Sequence, residues 1–329
     1  MSLTPRENFK RALHNDNPEW LPLTSEELMF CPRIIPDNIA RGWVREANEY
    51  TGPVGGKDMF GIEWIYVDSV GGSMEDPDKP HILSDISEWR DKVVFPDMDS
   101  WNWKGSAVEN KDFLNTDRLI VSWVFTGMFE RLISFLGFED SLVALIDEDQ
   151  QEDTMALFQA LADHYKGLIA RMKKYYNIDA VYFHDDWGAQ KAPFFSADTC
   201  SKVIAPYIKQ IVDFCHENDL IFYFHCCGKN EMLVPVMIEC GIDCWCGQPI
   251  NDKEYLIKNY GNQIFIGIHA PFGPAKPVPD DEDKITAAID TFLEPYTEII
   301  KETPFFIADL RPNSTVKKIL CSKTAAMLR

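Results

Sequence analysis

Hydrophobic positions along the C-terminal half of the chain switch repeatedly between helical and strand spacing. Residues 153–174 carry an apolar side chain every three or four positions, at Met155, Phe158, Ala162, Tyr165, Leu168, Ile169 and Met172. This spacing is typical of a helix with one buried face. Residues 178–183 follow as a short run rich in strand-forming residues, and polar residues come directly after it. The two patterns predict a helix followed by a strand.

The same alternation recurs to the end of the chain and, more loosely, before it. Further strands are predicted at residues 20–24, 61–67, 118–125, 220–224, 242–246, 263–268 and 304–308. Strands that alternate with helices form parallel sheets. Eight of them favour a closed (β/α)8 TIM barrel, an α/β fold, and no G-x-G-x-x-G turn supports a dinucleotide-binding fold instead.

The whole chain, residues 1–329, is predicted to form a single barrel domain. Its stretch at about residues 68–110 is rich in Pro, Asp and Trp and lacks a regular apolar period. We interpret this stretch as an irregular N-terminal elaboration inserted over one end of the barrel.

Charge and composition restrict the possible partners and location. The formal charge of −20 repels phosphate backbones and anionic lipid heads, so neither nucleic acid nor a membrane is an expected partner. No apolar run approaches the roughly 20 residues of a membrane span, and the first residues lack the apolar stretch of a secretory signal. Nine cysteines, an odd number, do not suggest complete disulfide pairing. We therefore expect a cytoplasmic protein.

The predicted strand ends carry the residues that could do chemistry, because catalytic groups of a parallel barrel follow its strands. The sharpest pattern is His225-Cys226-Cys227. In an extended strand His225 and Cys227 point to one side and Cys226 to the other. Together with Cys246 of the next strand they predict a zinc site with one open position. The alternative is that these cysteines are inert packing.

A second pattern, His184-Asp185-Asp186, ends the strand before it. Asp186 and His184 are predicted to act as catalytic acid or base. Asp185, together with Glu26 after the first strand and His269 after the seventh, is predicted to bind substrate. The alternative is a solvated turn or a helix cap.

Three segments carry a resemblance to a known family. They are the opening residues Leu3 to Leu13 with Pro18 and residues 21–23, the segment His184 to Gln190, and the turn His225-Cys226-Cys227-Gly228. The chain resembles the uroporphyrinogen decarboxylase superfamily along nearly its whole length. The His-x-Cys pair is similar to the cobalamin-dependent methyltransferase branch. That resemblance implies the same barrel and a zinc ion that activates a methyl donor or a thiol acceptor.

The chain departs from the family at two places. True decarboxylases carry an Arg-Gln-Ala-Gly-Arg segment after the first strand, where residues 24–30 here contain no arginine. Methyltransferases of the zinc branch commonly have a third cysteine at the last strand, and residues 304–310 contain none. The third ligand is therefore open among Cys246, Cys321, Asp309 and an acidic residue near the first strand.

The function expected from these residues is zinc-dependent methyl transfer between a small methylated substrate, such as a methoxyarene, and a corrinoid protein. A methylamine or a thiol acceptor is also open. The cobalamin is expected on a separate corrinoid protein, because the chain has no Asp-x-His-x-x-Gly signature. Two other classes are a decarboxylase without metal and a non-catalytic barrel that binds a small molecule.

Overall fold

The computed structural model describes residues 3–68, 71–273, 276–309 and 313–329. Residues 69 and 70 of the expected elaboration lie outside the described residues. The strands, in chain order β1 to β10, are Glu27–Phe30, Gly56–Lys57, Glu63–Val67, Gly72–Glu75, Leu119–Val124, Ala180–His184, Ile221–His225, Cys244–Trp245, Phe265–His269 and Phe306–Ala308.

The helices, in chain order α1 to α13, are Pro5–Leu13, Pro36–Ala40, Trp89–Lys92, Trp103–Glu109, Met128–Leu136, Phe138–Ile146, Glu148–Tyr176, Ala197–Thr199, Ala205–Glu217, Val234–Glu239, Lys253–Tyr260, Glu282–Leu293 and Ser314–Met327. The predicted helix at 153–174 is the longest of these, α7. Its first turn is capped by the carboxylate of Asp147, and it ends where Asn177 takes a left-handed conformation with φ of 50°.

The chain divides into two compact units. The first consists of Met1–Leu28, Thr116–Leu119 and Asp243–Arg329, and the second of Met29–Asn115 and Ile120–Ile242. In the first unit, β8, β9 and β10 pair in parallel. A parallel bridge joins Leu23 to Ile307.

In the second unit, β5, β6 and β7 pair in parallel. Their register places Trp123 beside Tyr182 and Tyr182 beside Tyr223. The same register places His184 beside His225 at the ends of the last two strands. These two strand ends therefore meet at one edge of a sheet.

Parallel strands alternate with helices in both units, so the predicted α/β fold of the (β/α)8 TIM-barrel class is confirmed. The placement of one strand is wrong. Residues 63–67 form β3, which pairs antiparallel with β2 and β4 in a separate small sheet. Apolar spacing finds a strand but does not tell a parallel partner from an antiparallel one. The prediction of one domain stays a prediction.

Among the described residues, no helix combines the length and the apolar character needed to cross a lipid bilayer.

Candidate metal centre

Four side chains at the ends of β6 and β7 bring their ligand atoms together. His184, Asp186, His225 and Cys227 each offer one nitrogen, oxygen or sulfur atom, and these atoms all lie within 4.8 Å of one another. Tetrahedral zinc with bonds of about 2.0 Å to nitrogen and 2.3 Å to sulfur has ligands roughly 3.5 Å apart. Ligand atoms as far as 4.8 Å apart would therefore have to move roughly 1 Å closer together to bind the same zinc ion.

The parallel pairing of β6 and β7 explains why these residues meet. His184 and His225 are register partners, and their rings stack with centroids 5.0 Å apart. Side chains two positions apart lie on the same side of an extended chain. Asp186 and Cys227 thus follow their histidines on the ligand side, and the Cys227 Sγ lies 3.5 Å from the His225 Nε2.

The chain after Cys227 turns sharply at Gly228. Gly228 has a φ of +97°, and a Cβ atom at this position would lie 2.2 Å from the main-chain carbon of Gly188. Only glycine allows both the left-handed conformation and this close approach. The turn is also held by Asn230, whose side-chain amide donates to the Cys227 carbonyl at 2.5 Å.

Asp186 connects the two strand ends. Its Oδ1 accepts a hydrogen bond from the main-chain N–H of Cys227 at 2.6 Å and lies 3.6 Å from the His184 Nε2. Its side chain is 30% exposed, which leaves it open to a small molecule. Burial raises the pKa of the Cys227 thiol, and the carboxylate of Asp186 raises it further. A bound cation would reverse this preference, since a coordinating thiol is deprotonated.

Glu130 is a residue of this site that the sequence reasoning missed. Its Oε2 lies 2.7 Å from the His184 Nδ1, and its Oε1 lies 3.5 Å from the Arg41 guanidinium. Burial alone would lower the pKa of His184, but the carboxylates of Glu130 and Asp186 outweigh it and raise that pKa. The sequence offers one signal for Glu130, since it is a polar residue shortly after the predicted strand at 118–125, and functional residues of such folds follow the strands.

Asp185, predicted to bind substrate, instead holds the start of α5. It is fully buried, and its oxygens accept hydrogen bonds from the main-chain N–H groups of Phe129 and Glu130 at 3.1 and 2.9 Å. The Trp187 indole donates a third bond at 2.8 Å. Burial, followed by the nearby charge of Glu130, raises its pKa to about 7. These contacts match the helix-cap alternative and occupy the carboxylate away from a substrate.

A row of aromatic rings leads along β5, β6 and β7 to the ligand side. The Trp123 indole stacks on Tyr182 with centroids 3.9 Å apart, and Trp43 stacks on Trp123 at 6.2 Å. The Tyr182 ring lies 6.0 Å from the His225 ring. Trp43 and Trp123 both keep partial exposure. Flat, partly exposed rings of this kind can stack against a planar ligand.

A cavity of about 560 Å³ adjoins the candidate centre. Asp186, Glu130 and Arg41 form part of its wall, and the apolar side chains in its wall include Trp64, Ile133, Phe138 and Phe194. This volume lies within the range of small-molecule sites, which combine apolar walls with a few polar groups.

The other predicted site residues belong to the first unit. Glu26 is buried and accepts a hydrogen bond from the Trp20 indole at 2.7 Å, and the Lys317 ammonium lies 3.3 Å from its other oxygen. These contacts give Glu26 a structural role. His269 ends β9, and burial, followed by the charge of Lys253, lowers its pKa to about 4.

The candidates for a third cysteine or carboxylate ligand also belong to the first unit. Cys246 is buried just after β8. Asp309 accepts hydrogen bonds from the Ser25 main chain at 2.7 Å and from the Thr24 hydroxyl at 3.1 Å. Cys321 lies on α13, where burial raises its pKa to about 12. The assignment of Cys246 or any of these residues as a ligand stays a prediction.

Comparison with known proteins gives a structural likeness and no sequence family. No protein-family model matches the chain, and no curated protein sequence matches it. Among solved structures, a methyltransferase from Methanosarcina mazei is similar over 99% of this chain and 100% of its own, with 13% identity and a TM-score of 0.63. A xylanase from Gloeophyllum trabeum covers 70% of this chain and 81% of its own at 11% identity and a TM-score of 0.39, too low to carry an argument.

This likeness shows that the chain has the fold of a methyltransferase, in agreement with the (β/α)8 class predicted from the sequence. At 13% identity this likeness shows the fold and does not by itself assign a reaction or ligands to this chain.

Proposed function

We propose that this protein is a metal-dependent methyltransferase that moves a methyl group from a small methylated substrate, such as a methoxyarene, to a corrinoid protein. The observation that carries the proposal is the convergence of His184, Asp186, His225 and Cys227 within 4.8 Å. Their meeting in a chain with the fold of a methyltransferase supports methyl transfer over other metal-dependent reactions.

The donor set fits zinc. Two imidazoles, a carboxylate and a thiol match the nitrogen, oxygen and sulfur ligands that zinc takes in proteins. In this proposal His225 and Cys227 hold the ion and His184 or Asp186 completes the set of protein ligands. Cys246 would then be dispensable. One position is left for the substrate, as in catalytic zinc sites.

A zinc ion bound there would act as a Lewis acid on the oxygen that leaves the methyl group. The bond from methyl to oxygen breaks with its electron pair on oxygen. The new bond forms with the electron pair of the acceptor, a reduced cobalamin carried by a separate corrinoid protein. Asp186, open to the cavity, can hold the proton that the leaving oxygen takes up.

The surroundings of the donor set support a ring-shaped substrate. The stacked rings of Trp43, Trp123 and Tyr182 offer flat apolar contact on the side of the ligands. The cavity beside Asp186 is large enough for a substituted benzene ring. A methoxyarene therefore fits better than a methylamine, because an ether oxygen keeps a lone pair for a Lewis acid, whereas a methylamine is mostly protonated near neutral pH and has no lone pair to offer.

The test combines metal analysis with an assay of methyl transfer. Protein purified without added zinc is expected to hold about one zinc ion per chain, and Cys227→Ser is expected to lose most of it. The wild-type protein is then mixed with a reduced corrinoid protein and a methoxyarene, a methylamine or a methyl thiol, and the cobalt absorption is followed.

Methyl transfer from the arene that disappears with Cys227→Ser is the expected result. Full zinc occupancy in folded Cys227→Ser would overturn the ligand assignment. Loss of carboxyl groups from a porphyrinogen without any corrinoid would overturn the proposed reaction in favour of a decarboxylase.

A further inference from the structure

Glu130 makes the shortest polar contact to the candidate ligand His184. The Glu130 Oε2 lies 2.7 Å from the His184 Nδ1, whereas the Asp186 Oδ1 lies 3.6 Å from the Nε2 on the other side of the ring. Both side chains are largely buried, with 15% of Glu130 and 16% of His184 exposed. Water therefore competes weakly for this hydrogen bond.

The position of Glu130 is fixed by the start of α5. Its main-chain N–H donates to the buried carboxylate of Asp185, which also receives the N–H of Phe129. Gly127, just before the helix, is needed for this approach, because a Cβ there would lie 2.4 Å from the Cβ of Asp185. The backbone of Glu130 thus cannot move away from His184 without breaking the cap.

The side chain of Glu130 is oriented by Arg41. The guanidinium of Arg41 donates to the Thr126 hydroxyl at 2.9 Å and lies over the Trp64 ring, 4.3 Å from its centroid. It reaches the Glu130 Oε1 at 3.5 Å. One carboxylate oxygen therefore faces a cation held in place, and the other faces His184.

We infer that Glu130 is a positioning residue of the metal site, because it accepts the Nδ1–H of His184 and thereby directs the lone pair of the Nε2 toward Asp186, His225 and Cys227. The inference rests on the proposed metal site. A histidine ligand commonly donates its second ring N–H to a carboxylate, which fixes both the tautomer and the ring orientation and makes the ligand nitrogen more basic.

A purely structural role for Glu130 would be to neutralise Arg41. The distances favour the histidine, since the contact to Arg41 is 3.5 Å and the one to His184 is 2.7 Å. The two roles make different predictions. A partner of Arg41 alone would affect folding and leave metal affinity unchanged.

The first measurement is the affinity for zinc, determined by competition with a chelator, and the spectrum of the cobalt(II)-substituted protein. Glu130→Gln is expected to weaken zinc binding by roughly 10- to 100-fold and to change the cobalt(II) spectrum, with little change in the thermal midpoint of the metal-free protein. Glu130→Asp, which keeps the charge on a shorter side chain, is expected to fall between Glu130→Gln and the wild type.

The matched control is Glu75→Gln. Glu75 lies in the wall of the same cavity as Glu130, and its partner is His81 at 3.9 Å. Its replacement is expected to leave zinc affinity within about twofold of the wild type. Equal affinity in folded wild-type, Glu130→Gln and Glu130→Ala proteins would overturn the inference.

The second measurement needs no metal. In metal-free protein at alkaline pH, the imidazole ¹⁵N shifts of His184 are expected to report a proton on Nδ1 in the wild type and its partial transfer to Nε2 in Glu130→Ala. An unchanged tautomer would overturn the inference even if zinc binds elsewhere. A wild-type protein that shows the expected tautomer but binds neither zinc nor cobalt(II) would overturn the proposed function and leave the role of Glu130 toward His184 standing.

Discussion

Arg131 and Glu130 are neighbours on α5, but they contact two different clusters of polar side chains. Arg131 is fully buried and pairs with Asp37 at 2.7 Å and with Asp58. Asp58 also accepts hydrogen bonds from the Phe60 and Ile62 main chains. Burial raises the pKa of Asp37 to about 6 even though Arg131 lowers it. This closed cluster of Arg131, Asp37 and Asp58 contains its own cation, and its polar contacts are made within the protein.

The open cluster, which Glu130 contacts through His184, has no lysine or arginine among its four ligand residues. His184, Asp186, His225 and Cys227 bring potential ligand atoms within 4.8 Å of one another. Burying such groups together costs free energy unless a charge compensates them. The Arg131 cluster therefore serves the fold, whereas the open cluster would be stabilised by the metal ion proposed above.

The largest effect is expected from Arg131→Met, which removes the cation of the closed cluster. Two buried carboxylates would remain without their partner, and breaking a buried pair of this kind costs about 3–5 kcal/mol. The free energy of unfolding, measured with denaturant, is expected to fall by that amount.

The control for this change is Arg171→Met. Arg171 pairs with Asp99 at 2.6 Å, but the Asp99 side chain is 81% exposed. Exposed pairs contribute about 0–1 kcal/mol. Similar losses in the free energy of unfolding for Arg131→Met and Arg171→Met would contradict the claim that the buried Arg131 pairs stabilise the fold more than an exposed pair does.

A smaller effect on stability is expected to distinguish Cys226→Ser from Cys227→Ser. Cys227 belongs to the open cluster, so Cys227→Ser is expected to change the stability of the metal-free protein by less than about 1 kcal/mol. It should abolish the stabilisation by zinc, which amounts to about 2.7 kcal/mol at a concentration 100 times the Kd. Cys226 is fully buried. Cys226→Ser is therefore expected to lose stability without zinc and to keep the response to zinc.

Thermal unfolding of both variants, with and without zinc, provides the measurement. A Cys227→Ser protein that still gains stability with zinc, or a Cys226→Ser protein that does not, would contradict the assignment of the two thiols.

The sequence predicts the parts of this molecule that depend on local pattern. Period-3.6 spacing locates α7, and the alternation of side chains in a strand places His225 and Cys227 on one side and Cys226 on the other. The order of strand ends along the chain brings the His184 segment to the same edge. These signals lie within a few residues of one another.

Glu130 and Asp185 could not be assigned in this way, because their roles depend on distant partners. Glu130 is 54 positions away from His184, and Asp185 is 55 positions away from the Glu130 main chain. The parallel pairing of β5 with β6 brings them together. The sequence pattern assigns both Asp185 and Asp186 to the reaction site. The structure separates them by burial, since Asp185 is fully buried and 30% of the Asp186 side chain is exposed.

The smallest effect concerns a neutral buried histidine near the closed cluster. Burial, and then the charge of Arg131, lowers the pKa of His164 to about 3. Its Nε2 lies 3.2 Å from the Met59 sulfur, and its ring lies 5.2 Å from the Phe60 ring. The unfolded chain takes up a proton at this histidine near its ordinary pKa of about 6.5, whereas the folded protein resists it. Stability contributed by the neutral form is therefore present above about pH 6.5 and is lost progressively as the pH falls toward 3. Between about pH 6.5 and 5 the expected loss is at most about 2 kcal/mol, since each pH unit contributes up to 1.36 kcal/mol.

His164→Phe keeps an aromatic ring among Met59 and Phe60 and removes this titration, so its free energy of unfolding should fall less steeply with acid than that of the wild type. Parallel pH profiles for wild-type and His164→Phe proteins would show that His164 is not held neutral, and the closed cluster would then be less protected from water than its burial indicates.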